Sequence, residues 1–271
     1  MIKKQFRLIT ILSIIISAAL AIVSYCGVFV SSTYEREVAS MAAQGTGQDI
    51  FDLFLIVPLL LVSLLFMLKN NRVSYFIFSG TIFYILYSFV IYCFGVHFNR
   101  LFLFYCLILG ASFYTFLLVI NVLIRLNVPG WFDNKDPVRS IAYYFLFIAF
   151  MFYTLWLKDI IPAVIHSSVP KSVSDYKLLV NPVHVLDTAI VLPGLIITAV
   201  LLLKKHALGT IFAPIFLVFV ILLSIALAAM VIVLMIKNIS EDLSVVVIFF
   251  VLAVISAIFL AILMKKVISK V

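Results

Sequence analysis

Eight apolar runs, each about twenty residues long and nearly free of charge, follow one another along this chain of 271 residues. A run of that length crosses the hydrocarbon core of a bilayer as a helix; a barrel strand would be about half as long and would alternate apolar with polar. Lipid offers no water to backbone N–H and C=O groups, and only a helix satisfies them within one segment. With 66% hydrophobic and 11% charged residues, the chain stands far from soluble domains, which are about 25% charged. The expected fold is all-α, a polytopic transmembrane helical bundle. Its spans are read at 8–30, 50–68, 73–94, 101–124, 140–157, 184–203, 208–236 and 244–264.

The connections between these runs carry most of the turn chemistry. Segment 31–48 holds Glu35, Arg36 and Glu37 and reads as a loop with a flexible Gly45-Thr46-Gly47. A tight turn is expected from Gly95 to Arg100, and a polar linker, 127–139, separates the two halves of the chain. Segment 158–183 is broken by Pro162, Pro170 and Pro182, and its IIPAVIH piece is expected to lie along the membrane surface. Asn238-Ile239-Ser240 matches a glycosylation sequon, which has meaning only in a eukaryotic secretory setting. Lys3, Lys4 and Arg7 before an apolar run imitate a signal peptide. The run continues to Val30, and Tyr25 is too bulky to precede a lipoprotein-type Cys26, so an uncleaved first span is expected.

Basic residues orient the spans. With the N-terminus inside, thirteen of the nineteen Lys and Arg residues fall in cytoplasmic segments, and an even number of spans returns the C-terminus to the same side. Of the acids, only Asp133 and Asp136 fall inside. The net charge of +8 is thus read as orientation and anchoring to the lipid bilayer. No basic patch or motif points to nucleic acid.

One pattern occurs twice. Residues 49–72 and 184–207 both run Asp, five residues, Pro, an apolar stretch, then Lys: Asp52, Pro58 and Lys69, then Asp187, Pro193 and Lys204, all offset by 135. The expectation is a tandem duplication of a four-helix unit, residues 1–126 and 140–271. Both units enter the membrane in the same direction, as parallel repeats.

Seventeen residues separate each Asp from its Lys, about 26 Å of helix, so each acid is expected near the outer boundary and each lysine at the inner one. Pro58 and Pro193 are expected to kink their helices, since proline removes a backbone hydrogen bond. His184 lies three residues before Asp187, and Asp49 three before Asp52, so each pair shares a helix face. Were the two helix ends to meet, one histidine and three carboxylates would converge, a set suited to a solute, a divalent cation or a proton. The other reading is a helix-start carboxylate stabilised by the helix dipole. Tyr84, Tyr87, Ser88 and Tyr92 recur at helical spacing, a hydroxyl-bearing face for a cavity or for packing against another helix. Cys26, Cys93 and Cys106 fit no metal or redox spacing and read as free thiols. Trp156 reads as an interface anchor.

No phosphate loop, nucleophile elbow, zinc-protease helix or Cys-x-x-Cys occurs, no cofactor is expected, and no charged residue sits at the middle of a span. The stretches GQDIFDLFLIVPLLL, CFGVHFNRLFLFYCLILGASFY and NPVHVLDTAIVLPGLIITAVLLLKK resemble segments of an uncharacterised family of bacterial multi-pass membrane proteins. The likeness runs from about 47 to 210. It implies a prokaryotic plasma-membrane protein and assigns no active residues. Three functions stay open: transport or binding of a small solute or ion at the outer ends of the second and sixth spans, a non-enzymatic scaffold or sensor subunit, and an enzyme acting on lipid or quinone.

Overall fold

The computed structural model describes residues 2–132, 138–239 and 242–268; Asp133, Asp136 and the sequon's Ser240 lie outside them. Eight helices long and apolar enough to cross a membrane make up the fold. They are α1 (Ile2–Phe29), α2 (Ala39–Leu68), α3 (Arg72–Gly95), α4 (Phe102–Arg125), α5 (Val138–Ile165), α6 (Pro182–Leu203), α7 (Ala207–Ile236) and α8 (Leu243–Ile268). Among the described residues there are no strands. The eight-helix expectation therefore holds, and the chain is a multi-pass membrane protein. Both described ends lie on one face of the bundle, called here the terminal face; the other is the distal face.

Two boundaries differ from the sequence reading. The second helix begins at Ala39, so Gly45-Thr46-Gly47 is helical rather than a loop. Its glycines are there for close approach: a Cβ at Gly47 would lie 2.6 Å from Met230 Cα and 2.9 Å from the Ala229 carbonyl on α7, and one at Gly45 would meet the Tyr34 ring at 2.8 Å. The IIPAVIH piece does not lie separately on a surface but completes α5, with Pro162 inside the helix. The first residues of the linker are packed as well. A short turn at Val128–Trp131 sets Trp131 edge-on to Tyr75 and Phe76 at the terminal end of α3, beneath the Arg72 guanidinium.

The prolines act through the helix geometry. Under α-helical pairing Pro58 would have to donate to the carbonyl four residues back, and it has no N–H. Residues Asp52–Ile56 instead form a π-turn, in which the Val57 N–H bonds to the Asp52 carbonyl. The same occurs at Asp187–Val191 ahead of Pro193, with the Leu192 N–H on the Asp187 carbonyl. The likeness continues through the following turn. Asn70 and Lys205 both take a left-handed backbone, with φ of 60° and 54°. The Asn71 N–H reaches the Phe66 carbonyl at 3.0 Å and the His206 N–H the Leu201 carbonyl at 2.8 Å, a Schellman closure in each case. Asn71 and His206 then cap α3 and α7 by accepting from the Ser74 and Leu208 N–H groups. Apart from the capped donors Ser74 and Leu208, these pairs are 135 residues apart.

Packing makes α3 and α7 the centre. The apolar segment of α3 is 67% buried, against 17% for α8. Helices α1 to α4 pack among themselves, as do α5 to α8, and α7 bridges the two groups by lying against α2 and α3. The α3–α7 crossing is tight at Gly80, where a Cβ would meet Val218 at 2.4 Å. The distal end of α3 meets the start of α6, Gly95 against Pro182.

Glycine contacts give a paired prediction. Gly47→Ala forces backbone apart and is expected to cost about 1–3 kcal/mol. Gly110→Ala on α4 meets nothing within 4 Å and is expected to leave stability unchanged or raise it by about 0.5–1 kcal/mol. Reversible unfolding in mixed micelles measures both, and equal effects would contradict the packing described.

Candidate functional site

The sequence-selected acids are all enclosed, Asp187 five residues into α6 but Asp49 and Asp52 ten and thirteen residues into α2, deeper than the outer boundary expected for them because α2 begins at Ala39; each finds its donors on other residues. Asp49 is fully buried. Its Oδ1 accepts from the Tyr92 hydroxyl at 2.9 Å, and its Oδ2 accepts a short hydrogen bond from Tyr34. Gly27 on α1 makes the room, since a Cβ there would overlap the Asp49 carboxylate. Asp52, one turn deeper and 1% exposed, accepts from the Tyr84 hydroxyl at 3.0 Å and from the Gln48 amide at 3.1 Å; that amide also bonds the Tyr84 oxygen. Asp187 is 7% exposed. It accepts from the Tyr87 hydroxyl at 3.0 Å and from the Trp156 indole N–H at 2.8 Å.

Helix α3 organises all three. Tyr84, Tyr87 and Tyr92 stand three and five residues apart, so their hydroxyls emerge at successive levels of one broad face. Each serves one acid: Tyr84 to Asp52, Tyr92 to Asp49 and Tyr87 to Asp187. The first two acids belong to α2 and the third to α6. The hydroxyl face read in the sequence is thus a donor row shared between both groups of helices.

Beside this row lies a cavity of about 280 Å³. It reaches from Glu37, Tyr176 and Leu178 in the distal loops down to Leu195 on α6 and Phe219 on α7. From Pro182 to Leu195 the wall of α6 is about 20 Å long. Most of the lining is apolar or aromatic, with Glu37, Gln44, Gln48, Ser88, Asn181, Asp187 and Ser224 as polar points. Asp187, Tyr87 and Tyr92 line this space. Asp49, Asp52 and Tyr84 do not; Tyr34, Tyr92 and Gln48 stand between them and the cavity. His184 also lies elsewhere. Its ring lies tilted against Trp156, centroids 4.7 Å apart, and it faces an outer groove with Val169, Leu179 and Val185.

The four residues that would form a cation site therefore do not converge, and among the described residues no group of three His, Cys, Asp or Glu could hold a metal ion. His97 is likewise occupied, with Nδ1 2.9 Å from Glu37 and its backbone N–H donating to the same carboxylate. His166 is exposed, and Cys26, Cys93 and Cys106 are free thiols. Pro58 and Pro193 enter the site indirectly, through the π-turns that begin at Asp52 and Asp187.

Three residues of the site were not singled out by sequence: Tyr34, Gln48 and Trp156. Gln48 precedes Asp52 by four residues, a spacing that puts both on one face. Gly27 and Gly45 mark the slot that Tyr34 fills, but only once α1 and α2 are packed. Trp156 has the residue type of an interface anchor and instead holds Asp187.

Searches of family models, curated proteins and solved structures returned no match to this chain. Fold and site together define a class, an eight-helix multi-pass membrane protein with an acid-lined, aromatic-walled cavity.

Tyr34 lies in the distal loop between α1 and α2, and burial next to the Asp49 carboxylate raises its hydroxyl well above its ordinary value near 10. A folded-state value above the unfolded one contributes stability that is complete below pH 10 and is lost as pH climbs toward the folded value. Tyr34→Phe, which removes one donor from Asp49, is expected to cost about 1–3 kcal/mol at pH 8. The gap to wild type should narrow by pH 11. Thermal unfolding at both pH values checks this, and a gap that stays constant would be incompatible with it.

Proposed function

We propose that the protein binds a small solute in the cavity between its two groups of helices and carries it across a prokaryotic cytoplasmic membrane. Both termini are cytoplasmic in this reading. The single observation that carries it is the cavity: it extends from the distal loops into the apolar part of the bundle and meets hydrogen-bonding groups there. A scaffold needs no such space. An enzyme acting on lipid or quinone needs a reacting group presented to the substrate, whereas each cavity-facing oxygen of Asp187 is already engaged by a neutral donor. The orientation rests on the Lys and Arg excess at the terminal face, and the prokaryotic membrane on the resemblance of three sequence stretches.

In the same proposal the chain is two copies of a four-helix unit. The recurrence of π-turn, proline, Schellman closure and capping residue at one offset supports it. So does the reciprocity of contacts: α7 lies against the distal part of α2, and α3 against the distal start of α6. Parallel copies would pack about an axis along the membrane normal, with the solute held off-centre near the outer boundary.

Thiol labelling tests the solute reading. In a background with Cys26, Cys93 and Cys106 changed to alanine, Ser88→Cys puts a thiol on the cavity wall. The expected result is modification by a membrane-impermeant methanethiosulfonate added from the distal side, slowed at least about tenfold when Leu223→Trp fills the cavity. Reaction from the terminal side as well would mark translocation in addition to binding. No reaction from either side would overturn the proposal.

A further inference from the structure

The charge and chemistry of the cavity wall restrict what it can hold. Its lining includes two acids, Glu37 and Asp187, and no Lys, Arg or His among the described residues. Glu37, at the mouth, is paired with His97 outside the cavity. Among the described residues Asp187 has no basic partner: its carboxylate is oriented by a phenol and an indole, which donate hydrogen bonds without supplying a positive charge. A carboxylate enclosed in apolar surroundings is costly unless it takes up a proton or a cation is brought to it.

The remaining wall favours one kind of cation. Eight aromatic residues line the space, and the two that hold Asp187 are among them. Phe219 stands edge-on to Tyr87 at 5.3 Å, and Phe152 lies 6.2 Å from Trp156. Aromatic faces attract a positive charge through their quadrupole, tryptophan most strongly, and the attraction grows when the cation is desolvated. A calcium-like ion would need six to eight oxygen ligands, and a magnesium-like ion would keep several waters. The floor, Leu192, Leu195, Val220 and Leu223, provides neither. It suits an apolar body.

Resting on the solute-binding reading above, we propose that the ligand is a small lipophilic monocation, an organic amine or quaternary ammonium ion. Its charge lies against the Asp187 carboxylate and the rings of Trp156 and Tyr87, and its apolar part occupies the floor. Glu37 at the mouth adds a field of the right sign to draw it in.

Protection of the thiol introduced by Ser88→Cys reads occupancy directly. Three probes are compared: benzyltrimethylammonium, its neutral isostere neopentylbenzene, which differs from it only in charge, and phenylmethanesulfonate as an anion on the same benzyl frame. The cation is expected to slow labelling by N-ethylmaleimide at a concentration at least tenfold below that needed for the neutral isostere, and the anion to give no protection. Adding Asp187→Asn should bring the cation-to-neutral preference close to one while leaving the neutral probe unchanged. The charge series in the Asp187 protein stands alone should the asparagine variant fail to fold. Equal protection by cation and isostere overturns the cation assignment but leaves a binding cavity. Protection by none of the three at saturating concentration overturns the assignment as well. A thiol that never reacts, with or without probe, removes the cavity reading itself, so the two failures are told apart.

Discussion

A carboxylate taken out of water must find hydrogen-bond donors within the protein. In this bundle Asp49, Asp52 and Asp187 each find one of them on the same helix. The tyrosines of α3 reach acids on α2 and on α6, so the helix that lies deepest joins the two groups of helices by hydrogen bonds, as α7 joins them by packing. A donor lost from such a network leaves an unsatisfied acceptor in a low-dielectric setting, which costs more than the hydrogen bond itself contributes in water. The positions of α2, α3 and α6 relative to one another are therefore coupled through these three acids.

Backbone proximity makes the network possible. Tyr34 reaches Asp49 because Gly27 and Gly45 leave a slot, and α2 lies against α7 because Gly47 has no side chain in the way. Between helices in lipid there is no hydrophobic drive beyond what lipid tails already provide, so close packing of small residues and interhelical hydrogen bonds carry the association. The prolines contribute at the same level. Each forces a π-turn that starts at an acid, widening the helix by one residue where that acid must turn toward its donors.

Much of this was legible in the sequence, and the reason is periodicity. Apolar length gave the helices. The Asp–Pro–Lys pattern picked out the two helices that carry the buried acids Asp49, Asp52 and Asp187, and the Tyr84–Tyr87–Tyr92 spacing picked out the helix that serves them. What failed was local reading of residues whose meaning is tertiary. Gly45-Thr46-Gly47 looks like a loop because glycine weakens an isolated helix; it is helical because another backbone occupies the space a side chain would take. Trp156 looks like an anchor at the water boundary, yet its indole N–H points to Asp187.

The sequence by itself determined that this chain crosses a membrane as eight helices, since hydrocarbon thickness and backbone hydrogen bonding leave a run of this length no other form. It also determined that two of those helices carry an acid and a proline at matching depth. Which acids share a space was decided by the tertiary structure alone. Asp187 faces the cavity while Asp49 and Asp52 stand behind Tyr34, Tyr92 and Gln48, because the helix rotations and glycine contacts that set those directions depend on partners on other helices and loops.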